Sequence, residues 1–224
     1  MKKRSLLVAL GFGLAALTPA VAQAPKTPPA AAVPPLPVLL TGTERAQTLA
    51  AASASLNRLA SVQGRFVQVA PDGRVTQGSV YLQKPGKVRF DYDPPNALLI
   101  VADGATVAIE DRRLKDVSRI PLRSTPLYYV LKRDVNLERD ARITKVARSG
   151  DSILVTARDR TGEAEGEITL TFAASGYDLR HWEIVDAQRQ MTRISLANLR
   201  AAPRLDPKLF RVQDAKDPTA RRKG

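Results

Sequence analysis

Apolar side chains recur at every second position through much of this chain, most clearly in residues 78–104, GSVYLQKPGKVRFDYDPPNALLIVADG. Val80 and Leu82 share a face with Lys84, and after Pro85-Gly86 the residues Val88, Phe90 and Tyr92 alternate with Lys87, Arg89 and Asp91. A period of two belongs to a strand with one apolar face. Pro94-Pro95 stops the second strand, and Leu98-Leu99-Ile100-Val101 begins a third that ends at the Asp103-Gly104 turn. The three strands read as an antiparallel meander. Its one polar intruder on the apolar face is Lys84, at a strand's end.

The flanking pattern extends this sheet. Leu49, Ala52, Leu56 and Leu59 follow helical spacing, with Thr43 as the predicted N-cap. This helix should end before Gly64, residues 65–70 should begin the sheet, and Pro71-Asp72-Gly73 should turn the chain back into residues 75–84. Residues 105–111 and 114–119 read as a further pair around Arg112-Arg113. Ser124-Thr125-Pro126 predicts a second helix start, with Thr125 as cap and Pro126 in the first turn. Leu127 to Leu131 are then apolar without a break, so this short helix is buried on most sides or lies over something apolar. Strands follow at 141–147, 152–158, 166–173, 177–186 and 190–199, separated by Gly150-Asp151, Thr161-Gly162 and Ser175-Gly176. With about eleven strands and two helices, the pattern predicts one curved antiparallel sheet, apolar inside and polar outside, with the helices over its concave side.

Composition adds compartment and partner class. The chain has 224 residues, and 44% hydrophobic content supports an ordinary core. Residues 1–22 read as a cleavable signal peptide: a basic start, a short apolar run from Ser5 to Leu17, and the small-x-small site Ala20-Val21-Ala22. A later cut after Ala24 would put Pro25 beside the scissile bond. The apolar run is shorter than the roughly 20 residues of a spanning helix, so export to a periplasm is expected. Residues 23–42 are rich in proline and alanine and read as a linker, 43–212 as the folded domain, and 213–224 as a basic flexible tail. Without cysteine the chain has no disulfide framework and no thiol to carry a lipid anchor. Removing the leader lowers the net charge from +13 to +10, which is a solvated surface or an attraction to anionic lipid or an acidic partner. Aromatic content of 5%, not interleaved with the basic residues, argues against nucleic acid.

Candidate chemistry is sparse. The single histidine, His181, cannot build a two-histidine metal site; it is read as a strand residue sharing a face with Leu179 and Glu183, opposite Trp182. Glu163, Glu165 and Glu167 beside Gly162 and Gly166 suit a solvated hairpin tip better than a calcium loop. No hydrolase, nucleotide-binding or dinucleotide fingerprint occurs outside the leader. No enzyme, cofactor or metal is expected.

The ordered set Gly64-x-Phe66-x-Gln68, Gly78-x-Val80-x-Leu82-x-Lys84-Pro85-Gly86-Lys87-x-Arg89-Phe90-x-Tyr92, Pro95, Ile100-Val101-x-Asp103-Gly104 and Thr125-Pro126 resembles the LolA family of periplasmic outer-membrane lipoprotein carriers. The resemblance implies a half-open, incomplete β-barrel with a helical lid over an apolar cavity. It also implies a monomer that takes lipoproteins by their acyl chains from an inner-membrane lipoprotein-releasing ABC transporter to an outer-membrane acceptor, or to the outer membrane directly. Strand parity then selects Phe66, Val80, Leu82, Val88, Phe90, Tyr92, Trp182 and Ile194 as cavity residues, with Leu56, Leu59, Val130 and Leu131 from the lid. A plain core would show the same alternation. In the family a basic residue, commonly arginine, precedes the proline and holds the lid by hydrogen bonds to helix carbonyls; here that residue is Lys84, whose ammonium lacks the planar fork of a guanidinium. A lipoprotein-sensing module of the same fold and an envelope hydrolase are the alternatives.

Overall fold

The computed structural model describes residues 36–162 and 166–212. The leader, most of the linker, the Glu163 and Glu165 tip and the basic tail lie outside the described residues. Among the described residues twelve strands form one antiparallel sheet: β1 (Val38–Leu39), β2 (Ser61–Val69), β3 (Val75–Gln83), β4 (Lys87–Tyr92), β5 (Leu98–Asp103), β6 (Thr106–Asp111), β7 (Asp116–Pro121), β8 (Arg142–Ser149), β9 (Ser152–Arg158), β10 (Glu167–Ala173), β11 (Leu179–Val185) and β12 (Met191–Ala201). Their order is β1-β8-β9-β10-β11-β12-β2-β3-β4-β5-β6-β7, so the sheet ends at β1 and β7 and does not close into a barrel. The helices are α1 (Gly42–Arg58), α2 (Tyr128–Leu131) and α3 (Leu137–Asp140), with 3-10 turns at Leu122–Ser124 and Pro207–Phe210.

The predicted meander is β3–β4–β5, in the register set by Val80↔Phe90↔Ile100 and Leu82↔Val88↔Ala102. Four local expectations are corrected. The N-cap of α1 is Thr41, not Thr43: Gly42 turns into the helix at φ +54, and Arg45 N–H donates to the Thr41 carbonyl. The helix does end before Gly64, at Arg58, but the sheet resumes at Ser61 and not at residue 65, so Gly64 lies inside β2. A side chain there would meet the Ala197 carbonyl at 2.7 Å, where β12 bulges between Ala197 and Arg200 and Asn198 sits at φ +54. Thr125 does not cap α2: its hydroxyl donates back to the Leu122 carbonyl, closing the preceding turn, and α2 starts only at Tyr128. The sheet also begins ahead of Thr43, because Val38 and Leu39 pair with Arg148 and Ala147.

Two elements were not anticipated. The single-turn α3 is too short to show a period; the Asn136 side chain caps it by accepting from Arg139 N–H. The segment from Ala202 to Val212 returns along the convex face, where Phe210 covers Leu99 and Val101. That explains the unbroken LLIV run of β5, since both of its faces are covered.

Candidate functional site: a lidded apolar interior

The concave face is assembled from cross-strand rows. Phe66, Gly78 and Tyr92 form one, and Leu170, Trp182, Ile194 and Gln68 another. Gly78 lets this face close up, since the Phe66 ring occupies the space a side chain there would fill. Phe66 then meets Phe90 and Tyr92 edge-on, with centroids 5.1 and 4.9 Å away, and Phe90 meets Trp182 at 6.3 Å. The Tyr92 hydroxyl donates to Gln68 Oε1 at 2.6 Å, and burial pushes its pKa up to about 12.

The helices lie over this face as one stapled unit. Asn57 on α1 makes two hydrogen bonds with the Val135 backbone, donating to its carbonyl at 3.0 Å and accepting from its N–H at 2.8 Å. Ser53 accepts from Leu137 N–H and donates to the Leu49 carbonyl. The turn between β3 and β4 holds both halves of the lid. Lys84 Nζ donates to the Leu56 carbonyl at 2.9 Å, and Gly86 N–H donates to the Leu131 carbonyl at 2.8 Å. Burial brings the Lys84 pKa down to about 8, against a smaller opposing pull from Asp134. The hydrogen bond favours the ammonium and burial the neutral amine; burial is the larger effect.

Two spaces lie between lid and sheet. An inner void of about 10 Å³ is bounded by Leu59 and Val130 of the lid and by Val80, Leu82, Val88, Phe90 and Trp182 of the sheet. An apolar cleft of about 190 Å³ opens beside it, with Phe90, Tyr92, Trp182 and Ile194 in its wall. Of the predicted residues, Phe66 in the sheet and Leu56 and Leu131 in the lid are fully buried and border neither space. Sequence reasoning missed Val62, Leu127, Leu179, Leu196 and Leu199 around the void, and Gln68, Ile100, Ile109, Pro126 and Ile184 around the cleft. Parity alone would have found Ile100 and Ile109.

Leu179 required more than parity. A bulge between Thr171 and Phe172 pairs Thr171 with His181 and Phe172 with Leu179, which turns Leu179 inward beside Trp182. The expectation that His181 shares its face with Leu179 is therefore corrected. His181 is half-buried, and burial lowers its pKa.

The chemistry of the interior is hydrocarbon and aromatic surface with a few hydrogen-bonding groups at its edge. Among the described residues no three His, Cys, Asp or Glu side chains converge as a metal site, and no helix is long and apolar enough to cross a membrane. A larger hollow of about 880 Å³ lies at the tips of the β2–β3 and β11–β12 hairpins, walled by Arg74, Arg189 and Arg193. Its wall mixes those arginines and Asp72 with Val69, Pro71 and Met191, and no helix covers it.

Comparison with known proteins agrees with this geometry. The family model described as outer membrane lipoprotein carrier protein LolA matches residues 57–213. The outer-membrane lipoprotein carrier protein of Methylococcus capsulatus is 34% identical over 164 residues, covering 69% of this chain and 78% of that one. Its namesake from Nitrosomonas europaea is 31% identical over 165 residues, covering 69% and 79%. On a half-open twelve-stranded sheet, a stapled helical lid and these matches, the chain belongs to the LolA family of outer membrane lipoprotein carrier proteins.

Proposed function

We propose that this protein is a periplasmic, ATP-independent escort that shelters the acyl chains of lipoproteins between lid and sheet. It would receive them from an inner-membrane lipoprotein-releasing ABC transporter and pass them to an outer-membrane acceptor or to that membrane itself. The observation that carries this reading is the attachment of an apolar lid to an apolar sheet through two backbone carbonyls, those of Leu56 and Leu131. An acyl chain in water loses roughly 0.8 kcal/mol per exposed methylene, so an escort needs an interior that opens and shuts. Side chains fill the inner space in the present arrangement, so loading requires the lid to rise and separate Leu59 and Val130 from Val80 and Trp182.

The test is stoichiometric binding of an environment-sensitive apolar dye to the purified protein, followed by displacement with a triacylated peptide. Phe90→Glu should abolish both while circular dichroism stays that of a folded sheet; an unfolded variant would place Phe90 in the structural core and not in the binding surface. Recovery of chemically intact peptide argues for carriage over hydrolysis. Passage of a labelled lipoprotein from the loaded protein to outer-membrane vesicles distinguishes a carrier from a sensor, which would hold its ligand. Absence of dye binding would overturn the reading.

A further inference from the structure

Trp182 is 2% exposed, and its indole Nε1–H has no hydrogen-bond partner among the described residues. Trp182 borders both the inner void and the outer cleft, so the ring that carries this donor lies beside the space the lid covers. Its aromatic neighbour Phe90 offers only a π face, a weaker acceptor than a lone pair. Buried donors in folded proteins are nearly always paired, and one left bare in an apolar site needs an explanation. The Tyr92 hydroxyl nearby is spent on Gln68. Among the buried side-chain polar atoms of the described residues, the Trp182 indole N–H is the one left without a partner.

We infer that Trp182 Nε1–H is a recognition group for an acyl carbonyl, donating to the ester or amide oxygen that joins a fatty chain to its head. This rests on reading the lidded interior as an acyl-chain site. An alkyl chain joined through an ether has no carbonyl to offer the donor, whereas an ester or amide carbonyl reaching Trp182 gains a hydrogen bond in a place where water cannot compete. The donor therefore fixes how deep a chain can sit, because the carbonyl marks the end of the hydrocarbon.

The experiment compares dioctanoylglycerol with dioctylglycerol, its ether counterpart lacking both carbonyls, as competitors for the bound apolar dye. Transfer from water alone favours the less polar ether, so a preference for the ester is diagnostic. The parent protein should bind the ester about tenfold more tightly, and Trp182→Phe should lose that preference while still binding both. As Trp182 is the single tryptophan of the chain, its emission gives a second readout on the unmutated protein. The ester should shift emission further to the red than the ether, as a newly hydrogen-bonded indole does. Equal affinities with equal emission for the two ligands would overturn the inference and leave the acyl-chain reading standing; failure of both ligands to displace the dye would overturn the acyl-chain reading itself.

Discussion

Lys84 faces opposing demands, and its titration follows from them. In the closed lid, burial lowers its pKa from 10.5 to about 8, whereas a raised lid returns the ammonium to water and to its ordinary value. Between those two values the closed form binds fewer protons, so raising the pH shifts the balance towards closure. The same sign holds for folding: the cost of burying the charge is present below about pH 8 and is relieved as the pH rises towards 10.5. Dye affinity should fall as the pH is raised from about 7 to about 9.5, measured by titration at constant ionic strength. Lys84→Arg should flatten that dependence, because a guanidinium stays charged throughout. Titration leaves the donor in place, whereas Lys84→Leu removes it. Above about pH 9, where the amine is neutral and its burial no longer costs a charge, the remaining hydrogen bond to Leu56 is worth about 1 kcal/mol, so Lys84→Leu should shift the balance about fivefold towards the open lid there. Loading should then persist while transfer to an acceptor slows, and an unchanged transfer rate would make Lys84 a mere strand end.

Among the elements, the β2–β3–β4 pairing depends on one missing side chain. At Gly78 an added methyl would overlap the Asp91 carbonyl of β4 and the Phe66 ring of β2 at once, and backbone cannot yield as a flexible side chain would. Gly78→Ala should cost about 1 to 3 kcal/mol in urea unfolding and should weaken dye binding by displacing Phe66 from Phe90 and Tyr92. By contrast Gly73, at φ +80 in the tip of the β2–β3 hairpin, has open space around it, and its replacement by alanine should cost only the backbone strain, about 1 kcal/mol. The strands were legible because alternation is a local property, and Val80, Phe90 and Tyr92 show it within a dozen residues. The elements that escaped depend on contacts distant in sequence. Gly64 reads as a break until β12 bulges across it, Leu179 reads as outward until the bulge opposite Thr171 turns it, and α3 is held by Ser53 and Asn136 rather than by any period of its own. The site divides likewise: the sheet wall follows from parity, whereas Pro126 and Leu127 reach the cleft from the turn ahead of α2, where no period marks them.

At the scale of the molecule the sheet carries a core on each face. The concave one lies under the lid; the convex one is small, built by Phe210 on Leu99 and Val101, and held by Arg89 donating to the Leu209 carbonyl. Phe210→Ala should destabilise the fold by about 3 kcal/mol in chemical unfolding and leave dye binding unchanged, because the sheet separates it from the lid. A loss of binding that matched the loss of stability would mean that the two faces are coupled. The strand order has a further consequence, for the route by which the fold is reached. The strands from β2 to β7 are a run of successive hairpins, as are those from β8 to β12, and each run can zip up from neighbours close in sequence. The two runs meet at a single seam, β12 on β2, where Leu196 lies opposite Phe66. Joining residues so far apart in the chain is entropically slow, and nothing can join them before the last strand is available. Until then the first run waits with the free edge of β2 exposed, open to pairing with the wrong chain before its own final strand arrives.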